Sequence, residues 1–80
     1  MYTLDRLPLG REAVITAVDT RGALRRRLMD LGFLPGSTVC RLCRAGFGGP
    51  DAYSIRGTVI ALRQEDGALL RAKLPDSSAS

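Results

Sequence analysis

The stretch Arg27-Leu28-Met29-Asp30-Leu31-Gly32-Phe33-Leu34-Pro35-Gly36 constrains the fold more than any other part of the chain. Leu24, Leu28 and Leu31 recur at i, i+4 and i+7, one apolar stripe of a helix. Gly32 follows where a left-handed cap residue belongs, because glycine has no Cβ to clash at positive φ. Phe33 and Leu34 stay apolar beyond the helix, which suits packing back onto its last turn. Pro35-Gly36 fits the central positions of a type II turn that launches the next segment. A helix over Ala23 to Leu31 that stops abruptly is therefore predicted, with Asp19 and Thr20 as candidate caps at its start.

The rest of the chain reads as short strands. Leu4 to Gly10 is an ordered lead-in, with Leu4, Leu7 and Leu9 available to cover one end of a core; Pro8 and Gly10 argue against regular strand there. Glu12 to Val18 is rich in β-branched residues and reads as the first strand. Ser37 to Arg44 is the second. The segment from Ala45 to Asp51 is too glycine-dense for a strand. Ala52 to Arg56 and Thr58 to Leu62 are two β segments hinged at Gly57, or one long bent strand with Gly57 at a bulge or corner. Arg63 to Gly67 is a polar turn with room for one helical turn, and Ala68 to Leu74 is the last strand. The fold class is therefore mainly β with one short helix. Closure into a small barrel would remove strand edges that so short a chain has little else to cover. A single domain over residues 1–74 and a polar tail over 75–80, expected to fray, account for all eighty residues.

The ordered set Leu4-x-x-Leu7-Pro8-Leu9-Gly10, Ala13-Val14-Ile15, the helix with its Gly-Phe-Leu-Pro-Gly exit, Ile55-Arg56-Gly57-Thr58-Val59-Ile60-Ala61-Leu62-Arg63 and Leu69-Leu70 resembles the ferrous iron transport protein A family, FeoA. The resemblance runs from about Tyr2 to Leu74. It implies a small SH3-like β-barrel and a role as a cytoplasmic accessory of FeoB, a membrane iron transporter with a cytosolic GTP-binding domain. Related SH3-like domains also form the C-terminal part of metal-dependent transcription regulators, but the DNA-binding helices of those regulators are missing here. The resemblance does not extend to the glycine-rich loop with Phe47 or to the Cys40/Cys43 pair, for which it implies no role.

Composition narrows the chemistry. Histidine is absent, which removes the commonest general base and the commonest transition-metal ligand. Glu65 and Asp66 are adjacent but sit in a turn without a nucleophile, and Ser37, Ser54 and Thr58 have no neighbouring base. No catalytic, cofactor-binding or metal site is expected. Cys40-Arg41-Leu42-Cys43 lacks the second ligand pair that a zinc site needs. On a regular strand its two thiols would also face opposite ways, one into the core. Gly46-Phe47-Gly48-Gly49-Pro50 lacks the lysine and hydroxyl of a phosphate loop. The start of the chain shows no secretory signal, and no run approaches the roughly 20 apolar residues of a membrane span, so a soluble, cytoplasmic protein without direct membrane insertion is expected.

What remains is a surface for another macromolecule. Twelve basic and eight acidic side chains leave a net charge of +4, concentrated at Arg21, Arg25, Arg26 and Arg27. These arginines, the Leu31, Phe33 and Leu34 corner, and Phe47 at its loop tip are the candidate partner-binding residues. FeoB is the partner that the resemblance implies. Nucleic acid is disfavoured, since no aromatic interleaves the arginines for stacking, and self-association by strand pairing is left open.

Overall fold

The computed structural model describes residues 1–46 and 49–75. Its elements run β1 (Tyr2–Thr3), a 3-10 turn (Leu4–Arg6), β2 (Glu12–Val18), α1 (Gly22–Asp30), β3 (Thr38–Cys43), β4 (Asp51–Ile55), β5 (Thr58–Leu62), α2 (Gln64–Gly67) and β6 (Leu70–Lys73). The strands form one sheet in the order β1-β6-β2-β3-β4-β5, with every pair antiparallel. Alternation puts Ala13, Ile15, Val39, Tyr53, Ile55, Leu62, Leu70 and Ala72 on the buried side, with Leu4, Leu7, Leu28 and Phe33 closing over them. Phe33 meets Tyr53 edge to face, at 6.4 Å between centroids and 86° between planes.

Four local features differ from the sequence reading. The sheet is not strictly closed: among the described residues β1 and β5 do not pair, so each remains an edge. Gly57 is no bulge or corner; Arg56 (φ 52°) and Gly57 (φ 79°) form the two-residue turn of a β4–β5 hairpin, the arrangement with positive φ at both central residues. The helix begins after Arg21, which makes no side-chain capping bond. Asp19 is used elsewhere, its N–H donating to the Leu69 carbonyl (2.6 Å) and its carboxylate pairing with Arg71 (2.7 Å). Finally, Leu9 is half exposed, and Leu4 and Leu7 alone cover the core end.

The thiols depart from expectation because β3 is bulged. Cys40 opposes Ser54 and Cys43 opposes Ala52, with the register shifting between Arg41 and Cys43. Ser54 and Ala52 share a face, so the bulge brings both cysteines to that same face. Neither enters the core, and both are free.

The inward residue of that segment is Arg41. Its Nη2 and Nε donate to Asp51 Oδ2 at 2.8 and 3.2 Å, and its Nη1 donates to the Leu7 carbonyl at 3.0 Å. Asp51 is fully buried, and its Oδ1 accepts from the Ala45 N–H at 3.2 Å. The Arg41 carbonyl accepts from the Gly10 N–H at 2.8 Å. One ion pair thus joins the lead-in, β3, β4 and the start of the glycine-rich connection. Beside it lies the Tyr53 hydroxyl, buried without a hydrogen-bond partner among the described residues. Burial foremost, and then the Asp51 carboxylate, push its pKa far above the ordinary tyrosine value.

Breaking a buried pair from one side leaves an uncompensated charge. Asp51→Ala is expected to cost about 3–5 kcal/mol in urea denaturation, and Arg41→Met combined with Asp51→Leu to cost clearly less. Tyr53 should make stability fall at high pH. Below the unfolded value of 10.0 the phenol is neutral in both states; above it the unfolded chain loses the proton while the folded one retains it, so each further pH unit removes up to about 1.4 kcal/mol. Tyr53→Phe is expected to abolish that slope in denaturation curves between pH 9 and about 12 and to cost little at neutral pH.

Candidate functional site

The exit of α1 shapes one wall of a groove. The Gly32 N–H donates to the Met29 carbonyl (3.0 Å) and the Phe33 N–H to the Leu28 carbonyl (3.0 Å), the pair of bonds that defines a Schellman end. Gly32 takes φ 110° to allow it. The turn that follows is as the sequence predicts, with the Ser37 N–H bonded to the Leu34 carbonyl at 2.9 Å and Gly36 at φ 93°. This geometry drives Phe33 into the core and leaves Leu31 outside.

Beyond the helix exit, α1 faces the end of β5 and the α2 turn across a groove of about 470 Å³. Its apolar wall is Leu24, Leu28 and Leu31 from the helix with Leu62 from β5; Arg27, Arg63, Glu65 and Asp66 supply its charges. Leu28 and Leu62 are core residues, so the floor is rigid, whereas Leu31 is 37% exposed. Such a site offers apolar contact bordered by charge and fits a macromolecular segment better than a reacting small molecule. Among the described residues no three or more His, Cys, Asp or Glu side chains gather where they could hold a metal ion, and no helix is long and apolar enough to cross a membrane.

The candidate residues are divided by this geometry. Arg27 and Leu31 line the groove. Arg21 and Arg25 border a shallower depression with Val18, Asp19 and Thr20, and Arg25 and Arg26 another with Met29. The four arginines therefore do not form one patch: at 100° per residue Arg27 lies across the helix from Arg25. Arg25 also has a structural task, its Nη1 donating to the Val18 carbonyl at 3.3 Å. Leu34 is half-buried. Phe33, expected among the contact residues, is instead fully buried; the Schellman bonds fix its direction. Phe47 lies outside the described residues. Leu62, Arg63, Glu65 and Asp66 were not legible as site residues, because only folding brings the β5–α2 junction to the helix.

A small curled antiparallel sheet with one main helix and a flanking groove is the architecture of an SH3-like domain. The FeoA domain model matches residues 2–73, and the chain belongs to the FeoA domain family. It is 35% identical over 77 residues to the Fe(2+) transport protein A/Fe(2+) transporter FeoB fusion protein of Porphyromonas gingivalis, a match that covers 96% of this chain and 9% of that much longer protein. The structure of iron(II) transport protein A from Clostridium thermocellum superposes with a TM-score of 0.87 at 29% identity, over 91% of this chain and 45% of the other. That of Stenotrophomonas maltophilia FeoA, a procaryotic SH3 domain protein complexed with zinc, gives 0.79 at 30% identity over 91% of both chains.

Exposure separates the two apolar residues at the helix exit. Leu31→Ala is expected to change stability by less than about 1 kcal/mol and Phe33→Ala to cost about 3–5 kcal/mol, both measured by chemical denaturation.

Proposed function

We propose that this chain is a cytoplasmic accessory domain of ferrous iron uptake that docks on the cytosolic part of FeoB. The observation that carries the reading is the P. gingivalis relative, in which an Fe(2+) transport protein A and the FeoB transporter share one polypeptide. Fusion keeps two modules at high effective concentration, which suits partners that otherwise meet by diffusion. The surface supports the same reading. The groove offers an apolar wall with Leu31 at its lip, and its mixed rim presents Arg27 and Arg63 to acidic side chains and Glu65 and Asp66 to basic ones. The net charge of +4 adds long-range attraction to an acidic partner, which acts mainly on encounter rate and register.

Arg21, at the start of α1, is also costly to the helix. Arg21 stands at the N-cap and no acidic residue occupies the first turn, although the positive end of a helix disfavours cations. A side chain that weakens its own helix there is better suited to a partner than to the fold.

Calorimetric titration into the cytosolic region of the host's FeoB, with and without a GTP analogue, tests the reading. Binding that is weakened about tenfold by Arg27→Glu combined with Arg63→Glu, a loss of about 1.4 kcal/mol, is the expected result. Added salt should lower the affinity of the parent chain more than that of the double variant.

A further inference from the structure

The two edges of the sheet are treated differently. β1 is only two residues long, and a short edge is a common protection against unwanted pairing. β5 has five residues, Thr58–Leu62, with no proline, no lysine and no register shift against β4. The β4–β5 hairpin has a two-residue turn with Ile55 opposite Thr58, and in such hairpins the residues flanking the turn form a hydrogen-bonded pair. Alternation then points the N–H and C=O groups of Thr58, Ile60 and Leu62 at β4. Those of Val59 and Ala61 point away. Among the described residues no other backbone or side-chain group bonds to them. Val59 is 65% exposed and Ala61 is also exposed. This edge runs directly into the groove, whose lining includes Ala61, Leu62 and Arg63.

We infer that β5 is the receiving edge for an extended segment of another protein. That segment adds to the sheet as a seventh strand, hydrogen-bonded to Val59 and Ala61, with apolar side chains directed toward Leu24, Leu28, Leu31 and Leu62 and acidic ones toward Arg27, Arg56 and Arg63. Main-chain bonds supply affinity in such strand addition, and the alternate side chains supply specificity. Charge along the strand itself selects the occupant, since the groove's acidic pair, Glu65 and Asp66, sits on α2 beyond the strand's end. Arg56 and Arg63 stand at the two ends of β5, both exposed, on a chain of net charge +4. A second copy of the chain fits poorly: antiparallel pairing of two β5 edges about Ile60 would set each Arg63 against the Arg56–Gly57 turn of the other, between two molecules of like charge. An acidic, apolar-alternating strand avoids both conflicts. The identity of the partner as FeoB rests on the preceding proposal, whereas the receiving edge does not.

Amide hydrogen exchange by NMR on the whole chain tests this. The probe is the blocked peptide acetyl-Glu-Val-Asp-Val-Glu-Ile-Asp-Val-amide, and its control has lysine at every acidic position. With the acidic peptide in excess, exchange at Val59 and Ala61 is expected to slow at least tenfold while Ile60, already bonded to Tyr53, stays unchanged. Ala61→Pro, which removes an outward N–H that the β4 ladder does not use, should abolish the effect. Unchanged exchange at Val59 and Ala61 with millimolar peptide would overturn the proposal. So would equal protection by the lysine peptide, or protection that grows with protein concentration alone, the mark of self-pairing. The FeoB titration separates the two readings. If Ala61→Pro binds FeoB as well as the parent, the edge is not the docking site and the accessory role stands. If neither binds FeoB but the acidic peptide protects both amides, the edge stands and the FeoB assignment falls.

Discussion

The buried pairing of Arg41 with Asp51 holds together parts of the chain that no strand ladder joins. Arg41 reaches the lead-in through the Leu7 carbonyl and receives the Gly10 N–H on its own carbonyl; Asp51 holds the Ala45 N–H at the far side. A core this small cannot solvate a guanidinium or a carboxylate, so each is tolerable only because the other and these backbone groups satisfy it. The 3-10 turn can then lie over one end of the curled sheet and bury Leu4 and Leu7, which an unpinned lead-in would not do. The unpaired Tyr53 hydroxyl next to this network marks how little polar capacity is left over.

At the other end of the molecule the decisive element is the helix exit. The Schellman bonds turn the chain so sharply that Phe33 goes inward and Leu31 outward within two residues. That division supplies both the closing side chain of the core and the lip of the groove. The groove is thus a by-product of how α1 terminates. Its rigid floor of Leu28 and Leu62 belongs to the fold, and only its rim is free to serve a partner. The charged rim continues into the open edge of β5, so apolar contact, charge and unpaired backbone groups lie on one side of the domain.

Much of the fold was legible because it follows local rules. The helix, its glycine stop, the Pro35-Gly36 turn, the strands around Val14, Val39 and Tyr53 and the final strand occur where propensity and spacing put them, to within a few residues. Several of the departures share one cause, which is that the outcome depended on pairing. A bulge in β3 is invisible until β4 sets the register, so Cys40 and Cys43 could not be seen to share a face, nor Arg41 to be the inward residue. Gly57 suits a bulge and a hairpin turn equally well until its flanking strands meet. Leu4, Leu7 and Leu9 look alike as leucines, and only the folded packing buries Leu4 and Leu7 and leaves Leu9 half exposed.

The sequence by itself determined the class of protein: a small β domain with one principal helix, no histidine to support acid–base or metal chemistry, a basic surface, and an ordered pattern that belongs to the FeoA family. These properties are carried by residue identity and by spacings of a few positions, which local backbone physics can read. Tertiary structure alone decided which of those residues a partner can reach. It turned Arg41 inward through the β3 bulge, joined the β5–α2 junction to the helix and left β5 uncovered. Each of these is a contact or an exposure set by elements distant in sequence, and no local preference of the chain encodes it.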